Sequence, residues 1–140
     1  MWDMLTPLRK MAVKRTEEIL DNVGLGGKKN AVSSALSHGE RKVLEIAIAL
    51  GGSPELLVLD EPTAGMSLGE TMQCIDLIKS LSDRFGLTIV FCEHDMKLVF
   101  DLANRIMVMV RGATIIQGSC DEVRSNEAVQ NAYLGGSELC

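Results

Sequence analysis

The sequence predicts an α/β chain built on a parallel sheet. A short unbroken apolar run, residues 56–59, suits a strand buried on both faces, and residues 87–92 (LTIVFC) read as a second buried strand. Between them Leu68, Met72, Ile75, Ile78, Leu81 and Phe85 recur at spacings of 4, 3, 3, 3 and 4, which is one side of an amphipathic helix. Strand, helix and strand in that order imply a right-handed crossover, with ligands gathered at the carboxyl ends of the strands. The 140 residues are 46% hydrophobic and 24% charged, a globular composition that excludes disorder and suits one ordinary domain with a real core.

The elements follow in order. Thr6-Pro7 reads as an N-cap and first helical position, and Leu8, Met11, Arg15, Ile19 and Val23 continue at helical spacing to a stop at Gly24. Residues 24–30 are a loop rich in Gly, Lys and Asn. Ser37-His38-Gly39-Glu40 opens a second helix with Val43, Leu44, Ala47, Ile48 and Leu50 on its apolar side, ended by Gly51-Gly52-Ser53-Pro54. After the first strand comes the helix of residues 68–85, which Gly86 caps. Residues 96–103 read as a fourth helix. Strands 105–110 and 113–117 flank Arg111-Gly112, a hairpin turn. Two short helices, 121–124 and 127–134, close the reading.

Composition excludes several function classes. The net charge of −5 argues against nucleic acid, whose binders carry a basic face. Residues 1–40 hold six basic and five acidic side chains, so the acidic excess lies in residues 41–140, where phosphate chemistry calls for Mg²⁺. No uncharged apolar run approaches the roughly 18 residues of a membrane span; the longest, residues 43–50, is broken by Glu45. Met1-Trp2-Asp3-Met4 lacks the basic start of a signal peptide. Cys74, Cys92, Cys120 and Cys140 form no C-x-x-C pair, and only His38 and His94 could join them. The expectation is a reduced, cytoplasmic chain without zinc.

Three clusters carry chemistry. Asp60-Glu61-Pro62 ends the first strand, and two carboxylates after four apolar residues are costly unless they have a task. One carboxylate there can hold Mg²⁺, directly or through water, while the second orients an attacking water. The bland alternative is a turn cap at Asp60 and a solvated Glu61. Glu93-His94-Asp95 ends the second strand, which in a parallel sheet places His94 at the same edge, within reach of a phosphate oxygen. Its alternative is a surface histidine with Asp95 capping the next helix. Leu36-Ser37-His38-Gly39-Glu40 puts a hydroxyl and free backbone N–H groups at a helix start, which is an anion site. Its alternative is a capping box of Ser37 with Glu40.

Together these pieces resemble an ATP-binding cassette (ABC) ATPase. Leu36-Ser37-His38-Gly39-Glu40 is similar to the signature motif, and residues 56–62 to Walker B with its adjacent glutamate. Thr63-Ala64-Gly65-Met66-Ser67 is similar to the D-loop, and His94 to the switch histidine. Order and spacing fit, with 24 residues from Leu36 to Asp60 and 33 from Glu61 to His94. Glu93-His94-Asp95-Met96 and the ending Asn131-Ala132-Tyr133-Leu134-Gly135 resemble the subunits that power branched-chain amino acid and related urea or amide importers.

The resemblance implies the carboxyl-terminal part of a P-loop NTPase three-layer α/β core. Residues 1–40 would be the end of the helical subdomain and 41–140 the later part of the catalytic core. It implies ATP and Mg²⁺ as cofactors. Asp60 would hold Mg²⁺ through water, Glu61 would polarise the attacking water, and His94 would sense the γ-phosphate. Ser37 and Gly39, with His38 and Glu40 in the same motif, would meet ATP held by the opposite subunit, and Ser67 would sit at the D-loop position that usually carries Asp. The implied partners are a second ATPase subunit and transmembrane permease subunits, at the inner face of the cell membrane.

There are departures. His38 stands where the motif usually has Gly, and its Cβ restricts the backbone. No Gly-x-x-x-x-Gly-Lys-Ser/Thr occurs; Gly26-Gly27-Lys28-Lys29 follows a helix and lacks the rest of the pattern. The 140 residues alone are therefore expected to be an incomplete cassette without ATPase activity, and to self-associate through an open sheet edge. Two other classes fit the same motifs: a non-catalytic dimerisation or assembly module that keeps the signature face, and a chromosome-maintenance or repair ATPase head.

Overall fold

The computed structural model describes residues 6–133. Met1-Trp2-Asp3-Met4, Leu134, Gly135 and Cys140, used in the sequence reading, lie outside the described residues. The elements are α1 (Thr6–Asn22), short 3-10 turns at Gly26–Lys28 and Ser33–Ala35, α2 (His38–Leu50), β1 (Leu56–Asp60), α3 (Leu68–Phe85), β2 (Thr88–Cys92), α4 (Met96–Leu102), β3 (Ile106–Val110), β4 (Ala113–Gly118), α5 (Cys120–Arg124) and α6 (Glu127–Tyr133). They form two compact units that divide between Cys92 and Glu93. No described helix is long and apolar enough to cross a membrane.

In the first unit β1 and β2 pair in parallel, from Leu56 opposite Thr88 to Asp60 opposite Cys92. The strands thus end level, and α3 is the crossover between them. The core gathers Val23 and Leu25 after α1, Ile46 and Leu50 of α2, Leu57 of β1, Leu81 of α3 and Leu87 ahead of β2. Gly86 takes a left-handed backbone (φ 63°) to turn the chain from α3 into β2, which is the reason for glycine there.

Two expectations need correction. The strands are covered on one face, not both. Leu57, Leu59 and Ile89 face the core, while Leu56, Val58 and Val90 on the alternate face stay exposed. The helices of this unit pack on one side of a two-stranded sheet, and strand alternation then leaves every second residue bare. On α3 the buried face is Cys74, Ile75, Ile78 and Leu81, whereas Leu68, Met72 and Phe85 of the same predicted stripe are exposed. The core reaches only the middle turns of this helix.

The second unit is the antiparallel hairpin β3–β4, with Ile106 opposite Gly118 and a register shift after Val108. Arg111 (φ 50°) and Gly112 (φ 81°) both adopt positive φ, the pair that a two-residue hairpin turn requires. Val123 of α5 and Val129 of α6 are fully buried. The Tyr133 hydroxyl donates to the Met109 carbonyl at 2.7 Å, tying the end of α6 to β3.

Candidate functional site

β1 carries Asp60 and Glu61 to its carboxyl end, and both are exposed there. Glu61 sits at φ 43°, a left-handed conformation that costs a non-glycine residue roughly 1–3 kcal/mol. Its neighbours hold it in place. The Glu61 amide donates to the Cys92 carbonyl at 3.0 Å, and its own carbonyl accepts from the Ala64 amide at 3.1 Å. The end of β2 therefore fixes the turn that presents the second carboxylate. His94 follows Cys92 by two residues but belongs to the second unit. Its Nδ1 lies 4.0 Å from the Glu93 carboxylate, and Asp95 caps α4 by accepting from the amides of Lys97 and Leu98 at 3.0 and 3.2 Å.

Ser37, His38, Gly39 and Glu40 form the first turn of α2 and its cap. Ser37 accepts from the Glu40 amide at 3.2 Å, and the Glu40 carboxylate accepts from the Ser37 amide at 2.9 Å, which is a complete capping box. Lys28 pairs with the same Glu40 carboxylate, and Lys29 pairs with Glu17 at 2.8 Å. The Gly26-Gly27-Lys28-Lys29 segment is thus a 3-10 turn whose lysines pair with nearby carboxylates. His38 begins α2 without positive φ, so the turn needs no glycine at that position. Its Nε2–H donates to the Ala64 carbonyl at 3.1 Å. Gly65 leaves room for the ring, because a Cβ there would come 3.1 Å from Nε2.

Ser67 caps α3 with Glu70 in a second capping box. Glu70 also crosses to α2: its carboxylate accepts from the Ser37 hydroxyl at 3.2 Å and lies against the Gly39 backbone. The first unit therefore brings Ser37, His38, Gly39 and Glu40 together with the loop 63–67. Glu70 was not among the residues singled out from sequence. Its signal was legible, since Ser67-x-x-Glu70 is a capping-box pattern, but nothing in that pattern points across to another helix.

Three carboxylates are held below their ordinary range. Glu40 is lowered by Lys28 and then by the Ser37 amide, Glu70 by the Ser67 amide and hydroxyl, and Glu122 by the Ser119 amide and hydroxyl. A lowered folded value means stability that is present above the ordinary value of 4.5 and is lost as pH falls through the folded value. Urea midpoints should therefore fall on acidification below pH 4.5, and the triple variant E40Q/E70Q/E122Q should show a flatter acid limb. An unchanged limb would remove these caps as its source.

Among the described residues no group of three or more His, Cys, Asp or Glu side chains could enclose a metal. Asp60 offers one exposed carboxylate at a strand end. That donor set suits a Mg²⁺ that keeps its waters and arrives with phosphates, not a caged ion.

The protein-family profile described as "ABC transporter" matches residues 2–64. The high-affinity branched-chain amino acid transport ATP-binding protein LivG of Salmonella typhimurium is 40% identical over 124 residues, which are 89% of this chain and 49% of that protein. The corresponding BraF of Pseudomonas aeruginosa is 37% identical over 116 residues, covering 83% of this chain and 46% of that one. Among solved structures, an ATP-binding cassette of an ABC transporter in its ADP conformation superposes with a TM-score of 0.80 at 28% identity, over 89% of this chain and 50% of that one. A nucleotide-free cassette matches with a TM-score of 0.78 at 27% identity, over 85% and 48%. The chain spans about half the length of the curated relatives it matches.

Proposed function

Because the chain belongs to the ABC transporter ATPase family, we propose that it supplies the carboxyl-terminal half of the ATP-hydrolysing subunit of an importer for branched-chain amino acids or related small solutes. The solute class follows the LivG and BraF relatives. The observation that carries the reading is Glu61. A carboxylate beside Asp60, at the end of a parallel strand, is held in a backbone conformation that costs energy. Strain of this kind gathers where a side chain must be aimed.

The residue roles follow. Glu61 polarises the water that attacks the γ-phosphate, and Asp60 holds Mg²⁺ through water. Mg²⁺ when bound neutralises charge on the phosphate oxygens. Ser37 and Gly39 donate to the γ-phosphate of ATP held by the opposite subunit, in a turn shaped by His38 and Glu40, and Ser67 serves in the loop that faces that subunit. His94 senses the γ-phosphate. Residues 1–40 are the end of the helical subdomain and 41–140 part of the catalytic core. The working unit is a pair of cassettes docked on permease subunits at the inner face of the membrane. Nucleic acid is no partner.

The 140 residues contain no Gly-x-x-x-x-Gly-Lys-Ser/Thr, so most phosphate donors must come from outside them. Calorimetry of this chain with Mg-ATP is expected to show no micromolar binding, and light scattering to show self-association. Micromolar binding would place a phosphate cradle within these residues and overturn the half-cassette reading. Where the chain alone does not bind, joining a P-loop-bearing half should restore hydrolysis. If binding returns without hydrolysis, the chain is a non-catalytic dimerisation module.

A further inference from the structure

The carboxylate of Glu70 serves two helices. On α3 its Oε2 accepts from the Ser67 amide at 3.0 Å and the Ser67 hydroxyl at 2.8 Å. Towards α2, Oε1 accepts from the Ser37 hydroxyl at 3.2 Å, and the same carboxylate lies against the Gly39 backbone. The fit is close, since a Cβ on Gly39 would lie 2.8 Å from Oε1. Glu40, the capping residue of α2 itself, is turned to Lys28 and the Ser37 amide and leaves the Ser37 hydroxyl to Glu70. Ser37, Gly39 and Glu70 line one groove, in which Ser37 is exposed and Gly39 lies buried behind the Glu70 carboxylate.

We infer that Glu70 is a positioning residue: its carboxylate occupies the Ser37 hydroxyl and covers the Gly39 backbone in place of a phosphate, and must leave both before a phosphate binds. The inference rests on the proposed role of Ser37 and Gly39 as γ-phosphate donors. Two anions cannot occupy the same place at the start of α2 without repulsion. Release is cheap, because Oε2 alone keeps the cap on α3 while Oε1 lets go. The exchange also couples two parts of the chain. Without phosphate Glu70 ties the start of α2 to the start of α3, and with phosphate that tie opens. The His38–Ala64 hydrogen bond remains as the second link between the same segments.

The test is NMR on the isotope-labelled 140-residue chain, titrated with inorganic phosphate at constant ionic strength. In the wild type the Gly39 amide and the Glu70 carboxyl carbon should move along one saturation curve. In E70Q, which keeps the cap but drops the charge, the Gly39 amide should saturate at about fivefold lower phosphate, the upper range for an exposed charge contact. A Gly39 response with an unmoved Glu70 carboxyl, or equal affinity in the two proteins, overturns the exchange and leaves the donor roles intact. A Gly39 amide that responds in neither protein overturns the donor roles, and the exchange with them. Should E70Q fail to fold, the paired wild-type curves decide alone.

Discussion

Glu61→Gln is expected to lower the turnover of the complete cassette at least ~100-fold while ATP stays bound, the scale of a lost catalytic base. The substitution isolates the carboxylate. Gln has the same length, and as a non-glycine residue it meets the same cost at φ 43°. The amide of residue 61 still donates to the Cys92 carbonyl, so the turn keeps its anchor to β2. What disappears is the negative charge that draws a proton from water. Single-turnover hydrolysis and nucleotide affinity, measured on the same preparation, separate the two effects. Turnover within threefold of wild type would remove Glu61 from the chemistry. Glu61→Gly is the companion variant: it relieves the backbone strain, so hydrolysis should fall while stability rises by about 1 kcal/mol.

The second large effect falls on the core. Leu81 is fully buried within the cluster formed by α2, α3 and β1. Leu81→Ala should cost about 2–5 kcal/mol through lost burial and the cavity left behind. Leu68 lies on the same predicted stripe of α3 but is 82% exposed, so Leu68→Ala should stay within about 0.5 kcal/mol. Urea unfolding of both variants reads the contrast directly. Equal losses would mean that α3 buries the whole stripe, as its periodicity suggests, and that a further layer covers Leu68. The outer face of β1 and β2 gives the same reasoning for Val58, which is exposed despite lying in an apolar run.

Much of this protein was legible before any coordinates. Local signals act over three or four residues, and they placed α2, β1, α3, β2 and the hairpin close to their observed limits. Ser37 and Ser67 open helices because each has Glu three residues on, and Arg111-Gly112 turns because a hairpin accepts that pair. The motif order from Leu36 to His94 likewise reads along the chain, and it pointed to the family that the relatives share.

Other features depend on which elements meet. Periodicity told which side of α3 is apolar, but only packing decided that Cys74, Ile75, Ile78 and Leu81 are covered and Leu68 is not. An apolar run foretold a buried strand, yet burial needs a neighbour on each face, and β1 has one. The strain at Glu61 arises because the Cys92 carbonyl of another strand claims its amide. Glu70 reads locally as a cap for α3. Its reach to Ser37 and Gly39, 33 and 31 residues away in sequence, exists only because the fold sets the starts of two helices side by side. Sequence alone determined the elements and the chemistry they can carry. The tertiary structure decided which faces are dry and which donors are already taken, because both depend on contacts between residues far apart in the chain.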